Sequence, residues 1–334
     1  MKGPDFFVVV LSYNGLADTR KCLTSLQPAM RPGASAMLVD NGSTDGTYEA
    51  VGAEFPWCER LRVEENRGPA AGNNAGIKAA LAANAEWILL LNNDTTVDPS
   101  LIDRLREAVA AHPDYDLFGP VIMYMDDPTE VMADGTVFNP PIPRGFFLRK
   151  AVELTRGRPP RMTQVDLVNG ACLAIKADMV RRIGGFDEAF FIYHDETDLC
   201  LRVLEAGGKC GIIDHALVWH KGSATFQQQA GKKSARYYDA RNLLYLLRKH
   251  RGAPLNGRSR WLTAVVYLKY MYYWYCSERE LGFHDSANGV IEGMHDGMLG
   301  RQGRYEPERT RFIAPLRVAF EVARRRPRRA AAAS

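Results

Sequence analysis

The stretch Ala36-Met37-Leu38-Val39-Asp40-Asn41-Gly42-Ser43-Thr44-Asp45-Gly46 turns from apolar to polar at one residue, Asp40. Three more short runs end the same way. Phe6–Leu11 stops at Ser12-Tyr13-Asn14, Leu61–Val63 is soon followed by Asn66-Arg67-Gly68, and Trp87–Leu91 stops at Asn92-Asn93-Asp94. In an open α/β sheet of parallel strands, ligands bind in the crevice at the carboxyl ends of the strands. Every Asn, Asp and Gly cluster in the first third of the chain falls on that edge. The same residue types make ordinary turns, but turns alone would place them equally at the other ends of the strands, where this sequence is more mixed. The bias implies a ligand site.

Helical patterns fill the intervals, near 15–27, 45–55, 70–83 and 99–112. In the third, Ala71, Ala75 and Ala79 recur at helical spacing and predict close packing of a small-residue face on the sheet. Asp98-Pro99 predicts the start of the fourth, with Pro at the first helical position. A β-α-β-α-β-α-β order with short connections implies a largely parallel, right-handed sheet covered on both faces. The pattern breaks down from about 121 to 165, where Asp126-Asp127-Pro128, Asn139-Pro140-Pro141-Ile142-Pro143 and Gly157-Arg158-Pro159-Pro160 are loop signals. Order returns with a strand at Val168–Ile175, a helix near 177–183, and Gly184-Gly185-Phe186-Asp187-Glu188. The acidic block His194-Asp195-Glu196-Thr197-Asp198 then opens a helix ending at Gly207-Gly208. A strand candidate follows in 211–225, containing Trp219-His220.

The 334 residues are 46% hydrophobic and 25% charged, which is ordinary globular composition and enough for about two domains. The expected organisation is two halves of one α/β domain, over 1–120 and 121–225, followed by a helical, basic region over 226–334. No signal peptide is expected, because the first five residues lead straight into a short strand run. The six cysteines form no CxxC pair and read as small buried hydrophobes in a reducing, cytoplasmic setting. The net charge of +4 hides an asymmetry: residues 226–334 carry 21 Lys and Arg against 9 Asp and Glu, while the rest carries 22 against 30. Helices are expected at Tyr237–Arg251 and Trp261–Glu280. The second contains a 16-residue aromatic and aliphatic run, 261–276, interrupted by Lys269. A spanning helix needs ~20 apolar residues, so this is not a membrane span. It suits an interface, either an anionic membrane surface or a domain core or dimer contact. Arg324-Arg325-Arg326-Pro327-Arg328-Arg329 reads as a disordered basic tail, and each Lys or Arg near an anionic surface contributes about 1 kcal/mol.

Taken in chain order, Val10–Gly15, Leu38–Thr47, Glu65–Gly68, Leu91–Asp94, Asn169–Cys172, Gly184–Glu188, His194–Arg202 and Trp219-His220 resemble the bacterial family 2 glycosyltransferases, most closely their rhamnosyltransferase-like branch. The resemblance covers about residues 6–225 and leaves the last hundred residues outside. It implies an α/β GT-A fold, Rossmann-like with a mostly parallel central sheet flanked by helices, here with a C-terminal helical extension. It also implies inverting transfer of a sugar from a UDP- or dTDP-sugar, dTDP-rhamnose included, to a hydroxyl of a glycan or lipid-linked acceptor. A peripheral membrane contact at the inner face and a homodimer are compatible with it; a nucleic-acid partner is not expected.

The roles carried over follow from chemistry. Asp40 would accept a hydrogen bond from the N3–H of uracil or thymine, with Ser12, Tyr13, Asn14, Asn66 and Gly68 around the nucleotide and Asn73 where many relatives carry Arg. The departing diphosphate needs a Mg²⁺ or Mn²⁺ ion to offset its charge, and such ions take one or two carboxylates besides the substrate phosphates. Asn92-Asn93-Asp94 stands in place of the family's Asp-x-Asp, so Asp94 is the metal carboxylate, and His220 resembles the histidine that reaches the metal or diphosphate. The acceptor hydroxyl must lose a proton as it attacks. Glu196 takes that base role and Asp195 is its alternative, the two being swapped relative to the usual Glu-Asp order. The same acids favour a helix N-terminus, and Asp195 is expected as the N-cap. Asn169, Gly170, His194 and Asp198 fall on the acceptor side. Two other classes compete. A sugar-1-phosphate nucleotidyltransferase should carry a basic, glycine-rich loop after the first strand, which Ser12-Tyr13-Asn14-Gly15-Leu16 lacks. A nucleic-acid-binding protein using the basic C-terminal region leaves the acidic front unexplained. No GxGxxG follows the first strand, which disfavours a dinucleotide oxidoreductase.

Overall fold

The structure is a computed structural model that describes residues 3–137, 148–149, 154, 157–222, 232–250, 260–307 and 313–325. It divides into two compact units, 1–222 and 223–334. In the first, β1 (Phe6–Ser12), β2 (Ala34–Asp40), β3 (Glu59–Arg62) and β4 (Trp87–Asn92) lie parallel in the order β4-β1-β2-β3. Successive side chains of a strand point to opposite faces. Phe6, Val8 and Val10 accordingly enter a core with Cys22, Leu23 and Leu26 of α1 (Leu16–Leu26) and Leu101 and Leu105 of α4 (Leu101–Ala111). Val9 and Leu11 face α3 (Pro69–Ala82) on the other side. The sheet is covered on both faces, as the alternation of strands and helices implied.

Local details differ from the sequence expectation. The close approach of α3 comes from Gly72 and Gly76, not from Ala71, Ala75 and Ala79: a Cβ at Gly76 would stand 2.2 Å from Val9 Cγ1, and one at Gly72 2.5 Å from Leu11 Cδ1. Helix α4 starts two residues after Pro99, because the Asp98 carboxylate accepts hydrogen bonds from Ser100 N (2.8 Å) and Oγ (2.6 Å) and spends Pro99 on a turn. The third strand is Glu59–Arg62, a largely exposed edge strand, and not Leu61–Val63.

The irregular stretch is shorter than expected at both ends. β6 (Leu117–Tyr124) runs past residue 121, and β7 (Val131–Ala133) pairs with it. Two short strands, β8 (Thr136–Val137) and β9 (Leu148–Arg149), pair with each other, and β10 (Met162–Val165) pairs antiparallel with β12 (Cys210–His220). β11 (Cys172–Lys176) inserts antiparallel between β4 and β6, and β12 runs parallel to β6. The far end of β12 also pairs with β5 (Thr95–Val97), just after β4. The loop signals at 139–143 lie outside the described residues. α2 (Thr47–Glu54), α5 (Ala177–Ile183) and α6 (Asp195–Glu205) complete the unit. All six cysteines are free, and five are buried.

The second unit holds α7 (Lys233–Lys249), α8 (Arg260–Glu280), α9 (His284–Met298) and α10 (Ala314–Arg325). The sequence reading foresaw α7 and α8 and overlooked the other two. α9 escapes because three of its positions facing α7 are glycines, 289, 293 and 297. A Cβ at Gly293 would lie 2.2 Å from the Tyr237 carbonyl, so the two backbones approach too closely for larger side chains. α10 takes in Arg324 and Arg325, so the basic segment begins as helix, and residues 326–334 lie outside the described set. α8 buries Tyr267, Met271, Trp274 and Tyr275 along one face and exposes Leu268, Tyr270 and Tyr273 on another. No described helix is long and apolar enough to cross a membrane.

Candidate active site

The sheet register brings the polar strand ends level. Ser12 pairs with Asp40, Asp40 with Arg62, and Leu11 with Asn92. Asp40 is fully buried. Its Oδ1 accepts from Ser43 N at 3.1 Å, while Oδ2 has no hydrogen-bond partner and stands 3.8 Å from Arg62 Nε. A buried acceptor left unsatisfied costs about 1–3 kcal/mol, so this oxygen has capacity for an incoming N–H. Around it the loops lock together. Asn41 Nδ2 donates to Asn66 Oδ1 and to Gly68 O, both at 3.1 Å, and Gly68 N donates to Asn66 Oδ1 at 2.8 Å. Asn14, at φ +46°, donates its N–H to Ser43 Oγ and accepts from Thr44 N. Tyr13 is 48% exposed beside them, and Asn73 is half-buried on α3.

Ser12 and Asn93 are placed differently from the other strand-end residues. Asn93 Nδ2 donates to Ser12 Oγ and Thr19 Oγ1, and the two hydroxyls lie 2.8 Å apart. Their polar atoms tie β1, the turn after β4, and α1 together. Gly68 has φ +95°, and a Cβ there would meet Phe191 O at 2.4 Å. The close approach that requires glycine is therefore to the protein's own backbone.

Asp94 and His220 meet because β12 pairs with β5. His220 is in register with Thr95, Lys221 N donates to Asp94 O at 3.0 Å, and His220 Nε2 lies 2.9 Å from Asp94 Oδ1. His220 is buried and its Nδ1 has no hydrogen-bond partner. Among the described residues, no group of three or more His, Cys, Asp and Glu is arranged to hold a metal ion by itself.

The acidic block reaches the same edge by another route. Asn92 N donates to Ala171 O at 3.0 Å, at the point where β4 meets β11. One residue earlier, a Cβ on Gly170 would sit 3.3 Å from Glu196 Cβ and 3.9 Å from its Cδ. The Asn169 side chain accepts from Ala171 N and shapes that turn. Contacts thus run from Asn92 through Ala171 and Gly170 to Glu196.

Helix α6 is entered through Phe191, Tyr193 and His194, all with φ near +65°. Non-glycine residues held in this region store strain of about 1–3 kcal/mol each, and such strain clusters at functional sites. Asp195 is the first helical residue, not the N-cap; His194 takes the cap position, without a side-chain cap bond. Burial and the adjacent Glu196 carboxylate hold the Asp195 carboxyl well above the usual carboxylate range. Two close carboxyls cannot both ionise freely, so the protonated form of Asp195 is favoured beside Glu196. Burial lowers His194 to about 4, which leaves the ring neutral. Asp198 is fully buried and paired with Arg202 Nε at 2.8 Å. Arg202 in turn donates to Ile183 O and Gly185 O. The sequence assigns Arg202 and Thr19 no role: besides their local partners Asp198 and Gly15, each reaches residues of another element, Arg202 the carbonyls of Ile183 and Gly185 and Thr19 the side chain of Asn93, which no local pattern announces.

Residues 7–169 match Glycosyl transferase family 2. The chain carries a family 2 glycosyltransferase domain. It is 28% identical over 286 residues to N-acetylglucosaminyl-diphospho-decaprenol L-rhamnosyltransferase of Mycobacterium tuberculosis, covering 77% of this chain and 90% of that one. It is 26% identical over 311 residues to galactofuranosyltransferase GlfT1 of the same species, covering 90% and 96%. The fold of this glycosyltransferase is similar to that of S. aureus TarS, with a TM-score of 0.55, 16% identity and 97% of this chain covered. The match spans about half of TarS (53%) and 87% of its shorter form, residues 1–349, in complex with UDP-GlcNAc, where the TM-score is again 0.55. The enzyme therefore transfers glycosyl groups on a GT-A fold, and neither the nucleotidyltransferase nor the nucleic-acid reading is needed.

Proposed function

We propose that this glycosyltransferase carries out inverting, metal-assisted transfer from a UDP- or dTDP-sugar to a hydroxyl of a glycan or lipid-linked acceptor. One observation supports the reading: the Asn92–Ala171 bond and the Gly170–Glu196 contact link the turn that carries Asp94, paired with His220, to Glu196. Asp40 Oδ2, buried without a partner, would take the N3–H of the base. Glu196 would accept the proton of the acceptor hydroxyl, while Asp195, kept protonated, holds the pair to a single negative charge. Asn169 and Gly170 shape the wall against which Glu196 rests, and Asp198 fixes α6 from behind through Arg202.

Asp94 and His220 suit a Mg²⁺ or Mn²⁺ site, since such an ion needs few protein ligands when phosphates supply the rest. When bound, the ion would offset the charge developing on the departing diphosphate. The relatives' names favour a rhamnosyl or galactofuranosyl donor and a polyprenyl-diphosphate-linked acceptor. Exposed Leu268, Tyr270 and Tyr273, with the basic C-terminal segment, would let the second unit rest on an anionic membrane. Neutralising the arginines at 324–329 should then abolish sedimentation with phosphatidylglycerol vesicles; unchanged binding ends that part of the reading.

The central test is a nucleotide-release screen over UDP-, dTDP- and GDP-sugars, with and without Mn²⁺, repeated on Glu196→Gln. The expected result is release from a UDP- or dTDP-sugar that requires the ion and is lost in the variant. Metal-independent release, or a fully active Glu196→Gln enzyme, refutes the corresponding assignment.

A further inference from the structure

The segment between α5 and α6 is held from both sides by side chains distant in sequence. From α3, Asn74 grips the backbone of Phe186 with both ends of its amide: Phe186 N donates to Asn74 Oδ1 at 2.8 Å, and Asn74 Nδ2 donates to Phe186 O at 3.0 Å. The same Nδ2 donates to Glu188 Oε1 at 3.1 Å, and the other Glu188 oxygen accepts from Arg67 at 3.0 Å. The fit is tight, because a Cβ on Gly185 would stand 2.2 Å from Asn74 Oδ1. From α6, Arg202 donates to Ile183 O and Gly185 O while paired with buried Asp198.

These contacts join the two halves of the reaction site. Arg67 and Gly68 belong to the loop that Asn41 and Asn66 lock beside Asp40, and α3 begins directly after it. Residues 186–188 lead through the strained turn at 191–194 into Asp195 and Glu196. A strained turn keeps its shape only when its surroundings over-determine it. The carboxamide is the suited group here: it both donates and accepts, so it satisfies both backbone polar atoms of one residue.

We propose that Asn74 is a positioning residue for glycosyl transfer, a clamp that fixes the turn bearing Glu196 to the helix that follows the nucleotide loop, with Glu188 and Arg67 completing the latch. This rests on the reading of Glu196 as the base. The clamp itself is tested without it, by amide hydrogen exchange on the full chain, free and with UDP and Mn²⁺. Asn74→Ala should speed exchange across 186–196 at least tenfold, leave β1 and β2 as in the parent, and leave UDP affinity within threefold. Asn74→Asp removes the donor and faces Glu188 with a second carboxylate; Glu188→Gln added to it should recover part of the protection.

Turnover then separates positioning from folding. On the donor that the screen identifies, Asn74→Ala should lower kcat about thirtyfold with the donor KM within threefold and Tm within a few degrees. Unchanged exchange across 186–196 overturns the clamp, and so does looser exchange with parental kcat. If Glu196→Gln stays active, the base assignment falls, but the exchange result still judges the clamp.

Discussion

Both units of this glycosyltransferase bury charge, and they treat it in opposite ways. Among the described residues of the helical unit, buried Arg236, Glu278, Glu292 and Asp296 each meet an opposite charge. Arg236 Nε meets Glu278 at 2.5 Å, and its guanidinium lies 3.6 Å from the Trp274 ring centroid. Tyr237 donates to Asp296, which also holds Arg301, and Glu292 takes both Lys233 and Tyr305. On the strand-end edge of the first unit, polar capacity is left open. Asp40 Oδ2 and His220 Nδ1 are buried without hydrogen-bond partners, and Asp195 is pressed against a second carboxyl. Paired charge holds helices together, whereas the bonding capacity gathered where strands end is what the proposed donor and metal ion would use. Folding alone would not select the second arrangement, because unsatisfied buried groups oppose it.

The comparison can be broken most sharply at its two acidic residues. Glu196→Gln should lower kcat on the order of 10²–10⁴-fold, the range for loss of a general base, with unfolding by urea unchanged. Glu278→Ala should do the reverse. It removes the 2.5 Å partner of buried Arg236, whose second carboxylate, Asp239, stands farther off at 3.6 Å; breaking a buried pair costs up to about 3–5 kcal/mol, which lowers the unfolding midpoint while UDP binding to the first unit persists. If Glu278→Ala instead abolishes UDP binding at temperatures where the chain stays folded, the division of labour is wrong.

Smaller substitutions sharpen it further. Gly293→Ala forces a Cβ against the Tyr237 carbonyl and should destabilise by about 1–3 kcal/mol, as overpacking does, read from the same urea curves. His194→Asn should act only through pH. The His194 ring is held at about 4 against an ordinary 6.5, so its stability contribution is complete above pH 6.5 and is lost as pH falls towards 4. Asn tolerates the positive φ and does not titrate, so the variant should lose less stability between pH 7 and pH 5, by about 1 kcal/mol. Asp195, raised, works in the opposite direction, favouring the fold at low pH, and is common to both proteins. An equal acid loss in parent and variant would show that His194 is not the neutral group.

The legibility of this chain followed the range of its interactions. Three of the four parallel strands, all four helices beside them and the polar edge were readable because each is signalled by residues adjacent in sequence, an apolar run and then Asp40, Asn92 or Ser12, whereas the third strand begins two residues before its apolar run. The helical unit was half-legible. α9 carries glycines where a helix pattern expects bulk, and only the backbone of α7, pressed against them, explains why. Asp195 was misplaced by one position because the αL turn at His194 extends the loop to the first helical residue.

By itself the sequence determined the order of strands and helices, the edge on which polar residues collect, and the residue types available there, because period and turn chemistry are local properties. Tertiary structure alone decided which of those residues remain open. Ser12 and Asn93 share the strand-end position of Asp40 and Asp94, yet they close on Thr19, while β12 pairs with β5 across more than a hundred residues to set His220 against Asp94. Hydrogen-bond capacity is spent by whichever partner the fold brings within 3 Å, and that partner is seldom a neighbour in the chain.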